Sequence, residues 1–230
     1  MTQKLAQYKS FFTYSVGKKL LMALTGLFMV TFLIAHLSGN LQLLYNDGGM
    51  AFNIYAKFMT TFPVVKIISY ILYICIILHV IDGFYLALVN KKARPVDYAV
   101  SNAQKNSPWY SRSMALLGSL ILFFLVIHLY KFWFQMHWGD VPIVTYDGEE
   151  YKDLYSLVFA AYKNPIWVVF YVLAMIPLAY HLLHGFQSGF QTLGLNHSTY
   201  TPIIKMLGIF ISVVIPIGFA AIPVLFFLTK

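Results

Sequence analysis

Polar residues in this chain come in short clusters, and between them run five apolar stretches, roughly residues 19–44, 66–90, 113–136, 165–190 and 203–229. About 20 apolar residues cross a bilayer as a helix. The pattern therefore predicts an all-α membrane protein with five transmembrane helices, built as one domain over residues 1–230. Pro63, Pro165 and Pro202 stand just ahead of the second, fourth and fifth stretches, where proline suits a helix start. Pro177 lies inside the fourth and should kink it. Residues 49–62, GMAFNIYAKFMTTF, predict a short helix lying in the membrane interface. Residues 137–163 read as a polar, acidic loop.

Composition supports the membrane reading. The chain is 60% hydrophobic and only 10% charged, against roughly 25% charged for a soluble domain, too little to cover a water-facing surface. The net charge of +8 does not point to nucleic acid, because the basic residues flank the apolar runs. Ten of them fall on one side: Lys4, Lys9, Lys18, Lys19, Lys91, Lys92, Arg94, Lys105, Arg112 and Lys205. Six fall on the other, Lys57, Lys66, Lys131, Lys152, Lys163 and Lys230, together with most of the acids. The positive-inside rule then places the N-terminus in the cytoplasm and the C-terminus outside, as five spans require. The first residues lack the apolar core of a cleaved signal, so the chain is expected to insert through its own first helix. The lone Cys75 excludes an internal disulfide, a C-x-x-C-H haem attachment and a self-contained iron–sulfur cluster.

Two of the stretches repeat each other. MALTGLFMVTFLIAHL (22–37) and MALLGSLILFFLVIHL (114–129) agree at eight of sixteen positions, including Gly26/Gly118, Phe32/Phe124 and His36/His128. The second and fourth stretches share another pattern: His79 is followed by Gly83 and His181 by Gly185, on one helical face. A glycine there leaves room for a flat ligand beside the imidazole. At 1.5 Å per residue, His36 and His128 lie about 26 and 22 Å from the cytoplasmic end, and His79 and His181 about 16 and 13 Å. The four histidines fall into an outer and an inner pair.

Neutral imidazole ligates iron, zinc, copper or nickel. Zinc wants three or four protein ligands gathered at one point. Paired histidines on opposing helices suit haem iron, one imidazole on each axial side. Iron with both axial positions filled passes electrons rather than binding oxygen, and two such centres would relay them across the membrane. His137 and His197 fall near connections and read as interfacial. Asp82, three residues after His79, is either satisfied by backbone or water near a helix end, or a proton-handling or supporting group for the inner centre.

Segments GKKLLMALTGLFMVTFLIAHLSGNL, LHVIDGFYLALVNKKARPVDY, SRSMALLGSLILFFLVIHLYKFW and HLLHGFQSGFQTLG, followed by a fifth helix without histidine, span roughly residues 10–225. In these the chain resembles the single-chain, five-helix, dihaem cytochrome b anchor of succinate:quinone oxidoreductases, the succinate dehydrogenases and fumarate reductases. The resemblance implies two b haems in a bundle of helices 1–4. His79 and His181 match the axial ligands of the proximal haem, and His36 and His128 those of the distal one. It also implies a flavoprotein and an iron–sulfur subunit on the cytoplasmic side, a quinone substrate that is typically menaquinone, and a bacterial cytoplasmic (inner) membrane location; a higher oligomer of the complex is left open by the sequence. Succinate oxidation itself would belong to the partners, since this chain has no dinucleotide fingerprint and no cysteine cluster.

Haem propionates need donors at the cytoplasmic helix ends, where Ser15, Lys19, Arg112 and Gln187 stand, and His184 would lie at the haem edge. Two departures stand out. Some members carry a glutamate two residues before the fourth ligand for transmembrane proton transfer, and here that position is Ala179. An acidic quinone-site residue near the outer end of the second helix is also missing, with Asn53 and Asp47 the nearest polar residues. Two other readings stay open. One is a dihaem anchor of another quinone-linked dehydrogenase or hydrogenase. The other is a transporter whose histidines and Asp82 line a proton or metal path.

Overall fold

The computed structural model describes residues 14–93 and 103–229, so Lys4, Lys9, Arg94 and Lys230 of the charge count lie outside the described residues. Five helical segments are long and apolar enough to cross a membrane: Ser15–Leu44, Pro63–Lys92, Met114–Trp138, Pro165–Thr192 and Thr201–Thr229. They match the five apolar stretches to within a few residues.

In chain order, α1 (Ser15–Leu41) runs into a 3-10 turn, Gln42–Leu44. The short helix α2 (Met50–Thr61) follows, as its amphipathic pattern predicts. Pro63 opens α3 (Pro63–Lys92) at the first helical position, where its missing N–H costs nothing. Two single turns, α4 (Ala103–Asn106) and α5 (Trp109–Arg112), lead to α6 (Met114–His128). A π-helical turn, Leu129–Phe134, begins immediately after His128 and passes into α7 (Gln135–Trp138).

The expected acidic loop contains structure. Strands β1 (Ile143–Tyr146) and β2 (Glu149–Lys152) pair antiparallel, with Tyr146 opposite Glu149. Asp147 and Gly148 make the two-residue turn between them, both at positive φ (50° and 82°), as a type I′ turn requires. Asp153 then caps α8 (Leu154–Tyr162), its carboxylate accepting from Ser156 N–H at 3.2 Å. Asn164 caps α9 (Pro165–Thr192), accepting from Ile166 N–H at 2.9 Å. Helix α9 continues through Pro177, and α10 (Thr201–Thr229) continues through Pro216 and Pro223.

Helices α1, α3, α6 and α9 form a ring in which each touches the next and α9 returns to α1. Helices α1 and α6 face each other across one diagonal, α3 and α9 across the other. Helix α10 packs outside the ring, against α9 and α1. Between apolar helices in lipid, close packing must replace the hydrophobic drive, so small residues sit at the contacts. Gly189 lies against Leu27 and Gly218 against Leu37. One end of the bundle is closed by α2, the hairpin and α8; the other carries the N-terminal end of α1 and the α4–α5 turns. We call these the hairpin end and the N-terminal end.

Candidate functional site

The ring brings the four helix histidines together in the two predicted pairs. Helix α1 carries His36 and α6 carries His128, and their ring centroids are 5.8 Å apart. Helix α3 carries His79 and α9 carries His181, with centroids 6.2 Å apart. Each pair thus bridges one diagonal. Two imidazoles that ligate one metal from opposite sides place their centroids about 6 Å apart, taking metal–nitrogen bonds of about 2 Å. Both pairs meet that spacing. Among the described residues, no three of His, Cys, Asp and Glu gather into a metal-binding group, so each candidate centre is a pair.

The helix repeat explains how the pairs are stacked. Gly26 of α1 lies against His79: a Cβ added there would meet the ring's Cε1 at 3.2 Å. Gly118 of α6, its repeat counterpart, lies against His181, at 3.8 Å by the same measure. His36 and His128 each come ten residues later, about 15 Å further along the helix. In both copies the later histidine stacks on a phenylalanine one turn back, Phe32 under His36 (5.1 Å, 19°) and Phe124 under His128 (5.5 Å, 26°). The expected glycine neighbours behave differently. Gly83 faces Met22, and Gly185 has nothing within 4 Å. The glycines that abut the imidazoles belong to the neighbouring helices, and i, i+4 spacing within one helix cannot reveal them.

Hydrogen bonds at the Nδ1 atoms differ within each pair. Thr25 Oγ1 lies 3.1 Å from His79 Nδ1, and Tyr171 Oη lies 3.2 Å from His128 Nδ1. Where Nδ1–H donates to these oxygens, Nε2 keeps its lone pair for a metal. His181 Nδ1 is buried with no hydrogen-bond partner among the described residues. His36 has only Asn40 Nδ2 near its ring nitrogens, at 3.4 and 3.5 Å, while that amide donates to the His36 carbonyl at 2.8 Å.

Asp82 is 7% exposed, and its Oδ2 has no hydrogen-bond partner among the described residues. Lys18 acts on it electrostatically while its Nζ sits over the Tyr85 ring at 3.8 Å. Asp82 thus stands as a buried carboxyl one turn from His79. His184 is half-buried, one turn from His181 toward the N-terminal end.

The expected propionate donors divide. Ser15 and Lys19 are exposed at the start of α1. Arg112 is also exposed, and its guanidinium donates to the Ser107 carbonyl. Gln187 instead lies against Gly208 of α10, outside the ring.

Asn53 and Asp47 serve the hairpin end. Asn53 is 1% exposed. Its Nδ2 donates to Tyr146 Oη (3.1 Å) and Asp153 Oδ1 (3.0 Å), and its Oδ1 accepts from Tyr155 N–H at 3.0 Å. The amide is committed to joining α2, the hairpin and α8. Asp47 accepts from the N–H groups of Gly49 and Ala51 at 2.9 and 2.8 Å, at the start of α2. A cleft of about 270 Å³ opens beside Asn53, lined also by Lys57, Thr60, Thr61, Tyr151 and Lys152. His137 packs on Trp133 and Trp138, and His197 on Tyr200, away from both pairs.

Reading the sequence missed two supports of the site. The π-helical turn after His128 leaves no trace in hydrophobic periodicity. Tyr171 comes ten residues before His181 in α9, and nothing in its spacing from His128 marks it as a partner. No protein-family model, curated protein or solved structure matches the chain.

Proposed function

We propose that this chain is the membrane-anchor cytochrome b subunit of a succinate:quinone oxidoreductase. It holds two b haems and relays electrons between an iron–sulfur partner and quinone. The observation that carries the reading is the pair of histidine diagonals, whose ring centroids lie 5.8 and 6.2 Å apart, close enough for each pair to share one metal. Bound haem supplies one-electron transfer at each pair. His79 and His181 would hold one iron, and His36 and His128 the other.

The rest of the chain's work is positioning. Gly26 and Gly118 let the imidazoles approach the neighbouring helices closely. Phe32, Phe124 and Tyr171 fix the rings at the hairpin end. By the charge rule, the N-terminal end would face the cytoplasm, where the resemblance implies that flavoprotein and iron–sulfur subunits of a bacterial complex dock, and the His79–His181 centre is then the proximal one. Asp82, buried beside that centre, would hold or pass a proton as the local charge changes. Quinone, expected to be menaquinone, takes up two electrons and two protons.

The paired geometry favours this reading over a transporter, for which the histidines would line one continuous polar path. Purification of the tagged chain from its native membranes tests it. Co-purification of a flavoprotein that oxidises succinate is the expected result. Co-purification of a hydrogenase or formate dehydrogenase instead, with the b-type spectrum retained, would assign the same haem relay to a different donor.

A further inference from the structure

Thr25 and Leu117 occupy the same place in the two copies of the helix repeat, each just before the glycine that abuts a histidine of the mid-bundle pair. Both side chains are 4% exposed. The copies differ here in chemistry. The Thr25 hydroxyl lies 2.7 Å from the Leu21 carbonyl, 3.2 Å from the Met22 carbonyl and 3.1 Å from His79 Nδ1. Its single hydrogen goes to the shortest contact, the back-bond typical of threonine in a helix. Its oxygen is then left to accept from His79 Nδ1–H, sharing that imidazole with the Met22 backbone carbonyl. Leu117 offers no such acceptor, and His181 Nδ1 has no partner among the described residues.

We propose that Thr25 is a positioning residue that makes His79 and His181 unequal donors to the same iron, and that the Thr25/Leu117 difference sets the redox potential of that centre. The proposal rests on the haem reading above. An Nδ1–H···O bond fixes the tautomer with its lone pair on Nε2, orients the ring, and raises the basicity of Nε2. A more basic ligand favours ferric over ferrous iron, so the bond from His79 to Thr25 holds the potential down. At His181 the corresponding pull is missing. A threonine at position 117 could back-bond to the Ser113 carbonyl, the acceptor of the Leu117 amide, as Thr25 does to Leu21. It would then supply the missing acceptor.

The test is a redox titration of the purified complex, following the reduced b-haem bands of each centre in four variants. Thr25→Val should raise the midpoint of one centre only, by about tenfold in its ferric/ferrous equilibrium, ~59 mV for one electron. Thr25→Ser, which keeps the oxygen, should stay at the unmodified value. Leu117→Thr should lower the same midpoint, and the Thr25→Val/Leu117→Thr double variant should fall back toward the unmodified value. Loss of that centre in Thr25→Val with retention in Thr25→Ser would also support the role, with Leu117→Thr giving the sign. Both centres present with unmoved midpoints in Thr25→Val and Leu117→Thr would overturn the proposal and leave the haem reading standing. No b-type bands in the unmodified protein would overturn both.

Discussion

The two histidine pairs share one bundle and one repeat, yet their surroundings differ. The His36–His128 pair is walled by aromatic rings: Phe32, Phe124, Phe132, Tyr171 and Phe219 all lie within 6 Å of one imidazole or the other, centroid to centroid. The His79–His181 pair is bordered by Gly26, Gly118 and Thr25, with Asp82 and His184 each one turn away along the same helices. Close ring packing fixes geometry at the first pair. At the second, close backbone approach and a few polar groups do so. On the proposed haem reading, the groups around each pair would tune the two centres differently.

The largest expected effect lies at Gly26. A side chain there must push His79 aside, since even a Cβ would sit 3.2 Å from the ring. Gly26→Val should destabilise the mid-bundle centre by about 1–3 kcal/mol, seen as selective loss of one haem per chain in a haem assay. Gly118→Ala makes only ordinary contact with His181, at 3.8 Å. It should be neutral or stabilising by up to ~1 kcal/mol, the helix preference of alanine over glycine. Equal losses in the two variants would break the asymmetry between the repeat copies.

Next comes the hairpin end. Asn53→Ala strips three hydrogen bonds from a buried junction and should cost about 1–3 kcal/mol. The check is a lower midpoint in thermal unfolding of the purified protein, with faster amide exchange in residues 143–152. The mid-bundle haem should keep its spectrum. Tyr171→Phe removes only the hydroxyl at His128 Nδ1, worth about 1 kcal/mol. It should shift the spectrum or potential of the hairpin-end centre and leave the other unmoved.

The smallest effect is that of pH on the Lys57–Glu149 ion pair, 3.0 Å long and exposed. The Lys57 hydrogen bond, with help from Tyr151, holds the Glu149 carboxyl below its usual range. Its contribution is therefore present above the ordinary carboxylate value and is lost as pH falls through the lowered one. Amide exchange in the hairpin should quicken slightly over that window, less so in high salt. Lys57→Met should abolish the pH dependence.

Much of this arrangement is legible in the sequence. The five spans follow from run length, α2 from its amphipathic pattern, and the histidine pairs from depth and the MAL-x-G…H repeat. The hairpin was missed, though it left a signal: IVTY and EEYK flank Asp147-Gly148, the dipeptide a type I′ turn selects. The excess of charge around it reads more easily as loop. What stayed hidden depends on contacts between distant segments. Gly26 meeting His79, Tyr171 meeting His128 and Gln187 turning toward α10 are set by which helices become neighbours, and periodicity along one helix carries no record of that. The commitment of Asn53 to the hairpin end is of the same kind, since its partners come about 100 positions later in the chain.

The central claim is that two diagonal histidine pairs hold two separate haems. Haem content and reduced-minus-oxidised spectra of the purified chain, unmodified and with His36, His79, His128 and His181 changed singly to alanine, test it most directly. The account predicts two b haems per chain. His36→Ala and His128→Ala should remove or alter one of them, His79→Ala and His181→Ala the other, and His184→Ala neither. A chain without b-type bands, or one in which His184→Ala removes a haem that His181→Ala leaves intact, would contradict it.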